Sequence, residues 1–253
     1  MAPSRRSNAE SAQVEWVRIR TNGMSTFPDL TPLDRETLDL VRPFTMPSNE
    51  RVAALCSAVR YLHRYGIEGD VVECGVWAGG SMLAAARTLV AEADTQRHLY
   101  LFDTYTGMTA PTEHDVSFAG EHAAAILSRM DPADPRLYSP LEVAQQVMGL
   151  SGYPGDRIHF VKGKVEDTVP DAAPEKIALL RLDTDWYEST RHELEHLFPR
   201  LVPGGVLIID DYGHWQGARK AVDEYFAAHP EPIFLQRIDY TGRIAIRQGP
   251  RLS

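Results

Sequence analysis

DVVECGVWAGGSMLAAARTLVAEA, residues 70–93, decides the fold. Its opening, 70–76, is a short valine-rich apolar run bounded by polar residues, which reads as a buried β-strand. Its end, 79–93, is long enough and regular enough for a helix. Between them lies a glycine-rich turn. Gly75 permits a tight reversal, and Gly79 and Gly80 let a ligand or the helix come close to the backbone. The pattern is ExGxxxGG, with Glu73 inside it, rather than the GxGxxG of a dinucleotide site, so it favours a nucleoside without a pyrophosphate. The same spacing also serves a plain strand–helix connection, so the turn needs support from elsewhere.

Working outward, the alternation repeats. Downstream, 98–105, 158–165, 175–185 and 204–212 read as strands, and 186–202 and 216–229 as helices. A closing hairpin is expected around Thr241 and Gly242. Upstream, 30–44 and a longer segment N-capped by Ser48 carry helical periodicity, the second ending at Gly66 and Gly69. Strands alternating with helices predict an α/β fold, a mostly parallel sheet with helices on both faces and an antiparallel C-terminal edge. Residues 1–30 read as an irregular leader and 31–253 as a single domain. The polar stretch at about 106–150, with short helices near 119–129 and 140–149, is expected to be a lid insert. Its Tyr105, His114, Phe118 and Tyr138 are candidates to close over a ligand.

The chain of 253 residues has a formal net charge of −9 and lacks a basic run, which argues against nucleic acid or an anionic membrane surface as partner. It has no apolar stretch long enough to span a bilayer, its opening residues lack the apolar core expected of a secretory signal, and its two cysteines, Cys56 and Cys74, lie in apolar segments as buried thiols do. A cytoplasmic location is the expectation.

The chemistry lies where the strands stop. In such sheets ligands sit beyond the carboxyl ends of the strands, where strand order reverses. Asp103, followed by Thr104, ends the second strand about 30 residues after the glycine turn, where an acceptor can take ribose hydroxyls. Gly163 breaks the third strand and offers backbone to a base edge. Asp183 and Asp185, if both on a strand, project to one side, and Asp210 and Asp211 end the next strand. Neighbouring strands lie ~4.8 Å apart, so these acids can converge on one ion. Oxygen-only ligands suit Mg²⁺ or another hard divalent cation. Asp185 also suits a helix N-cap, with Glu188 completing a capping box.

Taken together, "GDVVECGVWAGGS", "YLFDTYTG", "LLRLDTDWYEST" and "LVPGGVLIIDDYGHWQGARKAVDEYF" resemble the macrocin O-methyltransferase family over about residues 45–247. That resemblance implies a Rossmann-like class I methyltransferase fold, similar in its sheet to the catechol and caffeoyl-CoA methyltransferases. It implies S-adenosylmethionine and a divalent cation as cofactors, a sugar hydroxyl on a glycosylated antibiotic as acceptor, and a homo-oligomer. Carried onto this chain, Glu73, Gly75, Gly79, Gly80 and Ser81 would hold the methionine part of the donor, with Thr45 and Met46 also touching it. Asp103 and Thr104 would hold the ribose, and Gly163 and Lys164 would face adenine. Asp183, Asp210 and Asp211 would be the metal ligands, with Asp183 also bordering the donor. Asp183 would also be the base, with Asp185 and His214 as its competitors, and His214 and Trp215 would line the acceptor pocket, with Trp77 and Trp186 as wall residues.

The rivals are weaker. A DxD glycosyltransferase accounts for Asp183-Thr184-Asp185 but leaves the glycine turn and Asp210-Asp211 unexplained. A P-loop ATPase lacks GxxxxGK[ST]. A small phenolic or catechol acceptor needs no change to the donor site. A non-catalytic binding protein leaves the complete set of acids without a purpose.

Overall fold

The computed structural model describes residues 27–229 and 231–249, so most of the expected leader lies outside the described residues. The strands are β1 (Asp70–Cys74), β2 (Leu99–Asp103), β3 (Ile158–Lys162), β4 (Ile177–Leu182), β5 (Leu201–Ile209), β6 (Gln236–Arg237) and β7 (Arg243–Ile246). The helices are α1 (Pro32–Val41), α2 (Asn49–Arg64), α3 (Gly80–Ala91), α4 (Ala123–Leu127), α5 (Leu141–Met148), α6 (Val165–Thr168), α7 (Tyr187–Leu197) and α8 (Gln216–Ala228). The sheet order is β3-β2-β1-β4-β5-β7-β6. β1 to β5 pair in parallel, while β7 runs antiparallel to both β5 and β6. The expected C-terminal hairpin is present, but its second arm lies inside the sheet and its first arm forms the edge.

Two apolar layers hold the sheet. Val71, Leu99, Leu101, Leu179 and Ile208 meet Val52, Leu55, Val59, Leu62 and Leu83 on one face. Val72, Cys74, Phe102, Leu180, Leu182 and Ile209 meet Leu194, Leu197 and Val222 on the other. This alternation is the period-2 pattern of a strand buried on both sides. Cys56 and Cys74 are free and buried within these layers, as expected. Ser48 caps α2 as read from sequence, its hydroxyl accepting the Arg51 N–H at 3.2 Å.

Strand order reverses between β1 and β4, and there the chain touches itself. Gly75 has φ +84°, and a Cβ on it would lie 2.0 Å from the Asp183 carbonyl oxygen. Gly80 has the same difficulty with the Phe44 carbonyl, at 2.4 Å. Both glycines therefore serve contacts within the chain, where the sequence suggests a tight turn for Gly75 and the approach of a ligand or the helix for Gly80. Gly75→Ala is expected to lower the unfolding free energy by about 3 kcal/mol, from left-handed strain plus overpacking, in a chemical denaturation experiment.

The parity of the strands sets the electrostatics. Glu73 on β1 is the direct register partner of Arg181 on β4. Both project to the face covered by α2. The hydrogen-bonded strand β4 ends at Leu182, short of the expected 185, so Asp183 and Asp185 are not successive strand positions. Asp185 turns back at φ +68°.

Candidate active site

A cavity of about 470 Å³ opens at the carboxyl ends of the parallel strands. Such a volume suits a small ligand rather than a macromolecule. Asp103, Asp183, Asp185, Asp210 and Asp211 line it, with Arg51, His214, Tyr240 and Thr241. Asp183, Asp210 and Asp211 each bring a carboxylate oxygen within 4.8 Å of the others. The convergence expected of these three acids is therefore present, set by the register of β4 beside β5.

Two guanidinium groups already stand among them, and the sequence reading missed both. Arg181, 3% exposed, donates to Glu73 Oε1 at 2.5 Å and Asp210 Oδ1 at 2.6 Å and pairs with Asp183 at 2.8 Å. Arg51, from the first turn of α2, binds the other oxygen of Asp210 and donates through Nε to Asp239 Oδ2 at 3.0 Å. The signal for Arg181 was visible: one cation inside the apolar run IALLRL must be paired if that strand is buried. Arg51 carries no such signal, because the first turn of a surface helix is an ordinary place for an arginine. Asp239 arrives on the β6–β7 turn, which it closes by accepting the Thr241 and Gly242 N–H groups.

The acids still outnumber these two cations. Burial raises the Asp183 carboxyl well above its ordinary range; Arg181 opposes this, and the charges of Asp210 and Asp211 add to it. Asp183 keeps 23% side-chain exposure towards the cavity, so its desolvation is incomplete. Asp211 is raised by burial and by Asp185 and Asp210. Burial, with the charge of Asp183 next, pushes Asp185 up to about 7. Burial pushes Glu73 up to about 7 against the pull of Arg181. Four carboxyls held above their usual range in one small region mark a site that gains from a further cation.

Asp185 is held differently from Asp183. Its Oδ1 accepts the Trp215 indole N–H at 2.8 Å, and its backbone N–H donates to Asp211 Oδ2 at 3.3 Å. It does not cap α7, as the sequence had allowed. The first amide of that helix, on Tyr187, donates instead to Asp115 Oδ1 at 2.8 Å, 72 residues away in the chain. Asp115 is fully buried, and its other oxygen accepts the Thr112 N–H at 2.6 Å. His214 donates or accepts through Nδ1 with the Tyr240 hydroxyl at 3.2 Å, and burial lowers its affinity for a proton.

The expected lid segment is fastened at several points. Trp77 donates its indole N–H to the Pro135 carbonyl at 2.8 Å and Trp186 to the Thr109 carbonyl at 3.0 Å, and both rings line the cavity. Ser117 bridges to Trp215, the Phe118 N–H donates to the His214 carbonyl at 2.7 Å, and Gln216 N–H donates to the Val116 carbonyl at 2.8 Å. Tyr105 is a core residue, 1% exposed, and so does not cover a ligand as the sequence reading had it. Phe118 and Tyr138 are exposed, and His114 packs edge-on against Tyr187. Asp115→Ala should cost about 2 kcal/mol, because it strands the Tyr187 and Thr112 amides, and should speed hydrogen exchange at Ser117, Phe118 and Tyr187.

Of the residues expected at the donor, Met46, Gly75, Asp103, Thr104, Gly163, Lys164 and Asp183 line the cavity. Thr45, Glu73, Gly79, Gly80 and Ser81 are not among its lining residues. Thr45 and Ser81 are buried and share a hydrogen bond at 3.0 Å, clamping the segment before α2 to the start of α3. Asp103 accepts the Val76 and Trp77 N–H groups at 2.7 and 3.0 Å and the Tyr105 N–H at 2.7 Å, which fixes the glycine turn to β2. Glu73 Oε2 is buried without a hydrogen-bond partner.

Known proteins resemble this chain in sequence and in fold. The chain is 36% identical to the 8-demethyl-8-(2,3-dimethoxy-α-L-rhamnosyl)-tetracenomycin-C 4'-O-methyltransferase of Streptomyces olivaceus, over 78% of this chain and 73% of that protein. It is 34% identical to the mycinamicin III 3''-O-methyltransferase of Micromonospora griseorubida, over 78% of this chain and 76% of that one. Among solved structures, the O-methyltransferase NovP superposes with a TM-score of 0.72 at 28% identity, covering 81% of this chain and 83% of its own. The macrocin-O-methyltransferase (TylF) family model matches residues 34–247, a span that takes in every acid of the cavity, and the chain accordingly belongs to that family and is an S-adenosylmethionine-dependent O-methyltransferase.

Proposed function

We propose that the protein methylates a sugar hydroxyl of a glycosylated natural product, with a divalent cation such as Mg²⁺ at the aspartate cluster. The observation that carries this reading is the meeting of Asp183, Asp210 and Asp211 within 4.8 Å at the floor of a small-molecule cavity, with Asp185 beside them. The donor set is all oxygen and in excess over its two arginines, which fits a hard cation. Both oxygens of Asp210 are engaged by Arg51 and Arg181, so Asp183 and Asp211 are the principal ligands and Asp210 shares its charge.

For the donor, Met46, Asp103, Thr104, Gly163 and Lys164 supply the walls, and Thr45, Gly79, Gly80 and Ser81 brace the turn from behind. Glu73 stands behind the turn with them, its carboxylate held by Arg181. When bound, S-adenosylmethionine supplies the methyl group and the divalent cation stabilises the acceptor oxygen as its proton leaves.

The remaining work falls to the chain. Asp185 takes the proton of the acceptor hydroxyl, whose lone pair forms the new O–C bond while the C–S pair stays on sulfur. Asp183 is engaged as a ligand of the cation and paired with Arg181 at 2.8 Å, which leaves Asp185 to accept the proton. Asp185 instead has an indole N–H to orient it. His214 and Trp215 form the wall beside it. Holding the methyl carbon and the oxygen in line supplies a large part of the rate.

The tetracenomycin relative acts on a rhamnosyl group, so a rhamnoside is the first acceptor to try. Methyl transfer to it, read as a gain of one CH₂ in mass, should fall by about two orders of magnitude with EDTA and return with Mg²⁺. Transfer that ignores EDTA, or that occurs on a catechol and not on glycosides, would overturn the reading.

A further inference from the structure

Outside the cavity mouth lies an apolar surface that the reaction at the aspartates does not use. Phe118 is 63% exposed and Tyr240 59%. Phe118 meets His214 edge-on at 5.4 Å and Tyr240 at 6.2 Å between ring centroids. His214 and Tyr240 line the cavity, and Phe118 stands just beyond it, so the surface continues outward from the site.

This surface is built. The loop that carries Phe118 is anchored by fully buried Asp115, by the bridge from Ser117 to Trp215, and by the Phe118 N–H on the His214 carbonyl. A large aromatic side chain held in water by a rigid loop is a preorganised contact surface, which loses little freedom on binding. Two cations stand nearby: Arg237, which donates to the Asp239 and Tyr240 carbonyls at 3.2 and 2.9 Å, and Arg51. Arg51, the cation that acts on both His214 and Tyr240, is bound by Asp210 and Asp239, and Asp211 adds negative charge at Tyr240.

Resting on the reading of this chain as a sugar O-methyltransferase, we propose that Phe118, with Tyr240 and His214, is the subsite for the aglycone. The sugar reaches inward to the aspartates, and an uncharged aromatic or similarly flat apolar aglycone lies on the Phe118 ring. The acceptor is thus a finished glycoside rather than a nucleotide-diphosphate sugar.

The test uses the full chain with S-adenosylhomocysteine and Mg²⁺ and measures binding by calorimetry. The probes are 4-nitrophenyl and methyl α-L-rhamnopyranoside, with dTDP-L-rhamnose as the charged alternative. The aryl glycoside should bind about tenfold more tightly than the methyl glycoside. Phe118→Ala should bring that ratio within about twofold, and Phe118→Tyr should keep it. Equal binding of the two glycosides, a preference that survives Phe118→Ala, tighter binding of dTDP-L-rhamnose, or no aryl glycoside binding at millimolar concentration would each overturn the proposal. So would a Phe118→Ala variant that changes only the mass in solution, since the patch would then face a second copy. Failure of the wild type to bind S-adenosylhomocysteine would instead sink the underlying reading of the fold's activity.

Discussion

Replacing Arg181 with Met should destabilise the protein by about 3–5 kcal/mol, the cost of leaving buried carboxylates without their counter-charge. Arg181 is 3% exposed and bridges Glu73, Asp183 and Asp210, which no other single side chain in the sheet does in their place. In a domain of this size that corresponds to a fall in melting temperature of roughly 10 °C. Arg181→Lys should recover only part of the loss, because one compact ammonium cannot reach three carboxylates with the planar fork of a guanidinium. Added Mg²⁺ should stabilise the Met variant more than the wild type, since the ion then supplies the missing positive charge by mass action. An unchanged melting temperature would mean that the buried bridge is energetically idle.

The second large effect is on the rate. Asp185→Asn should lower kcat by about 10²- to 10⁴-fold, the usual share of a positioned general base. The amide oxygen can still accept the Trp215 indole N–H that now reaches Asp185 Oδ1 at 2.8 Å, so the fold should be retained. Binding of S-adenosylhomocysteine should also be retained. His214→Gln should cost less than tenfold, because on the proposed mechanism His214, hydrogen-bonded to Tyr240, is a wall residue and Asp185 accepts the proton. If the two variants exchanged these effects, the base would be His214.

The sheet was readable because its strands are buried on both faces, which makes each a short apolar run, and because glycine and acid mark their carboxyl ends. Residues 70–93 place β1, the turn and α3 within a residue or two, and Asp103, Asp183, Asp210 and Asp211 do fall just at or past strand ends. The carboxyl ends of all five parallel strands are read two or three residues too long, because the residues that follow leave the ladder at the cavity end. What was illegible depends on contacts across long sequence distances. Asp115 capping α7 from 72 residues away has no local pattern, so the nearer Asp185 took that role in the reading. Arg51 and Asp239 reach the aspartates from a helix and a hairpin turn that each look like ordinary surface. The purpose of Gly80 likewise depends on Phe44, a partner known only once the chain is folded.

Titration of the metal-free protein with Mn²⁺, followed by electron paramagnetic resonance in the presence of S-adenosylhomocysteine, addresses the aspartate centre without depending on the acceptor. One ion per chain should bind to the wild type with a dissociation constant of about 10⁻⁵–10⁻³ M, and that signal should vanish in Asp183→Asn/Asp211→Asn. A wild type that leaves all the Mn²⁺ free in solution, or a double variant that binds it equally well, would contradict a cation-assisted methyl transfer at these residues.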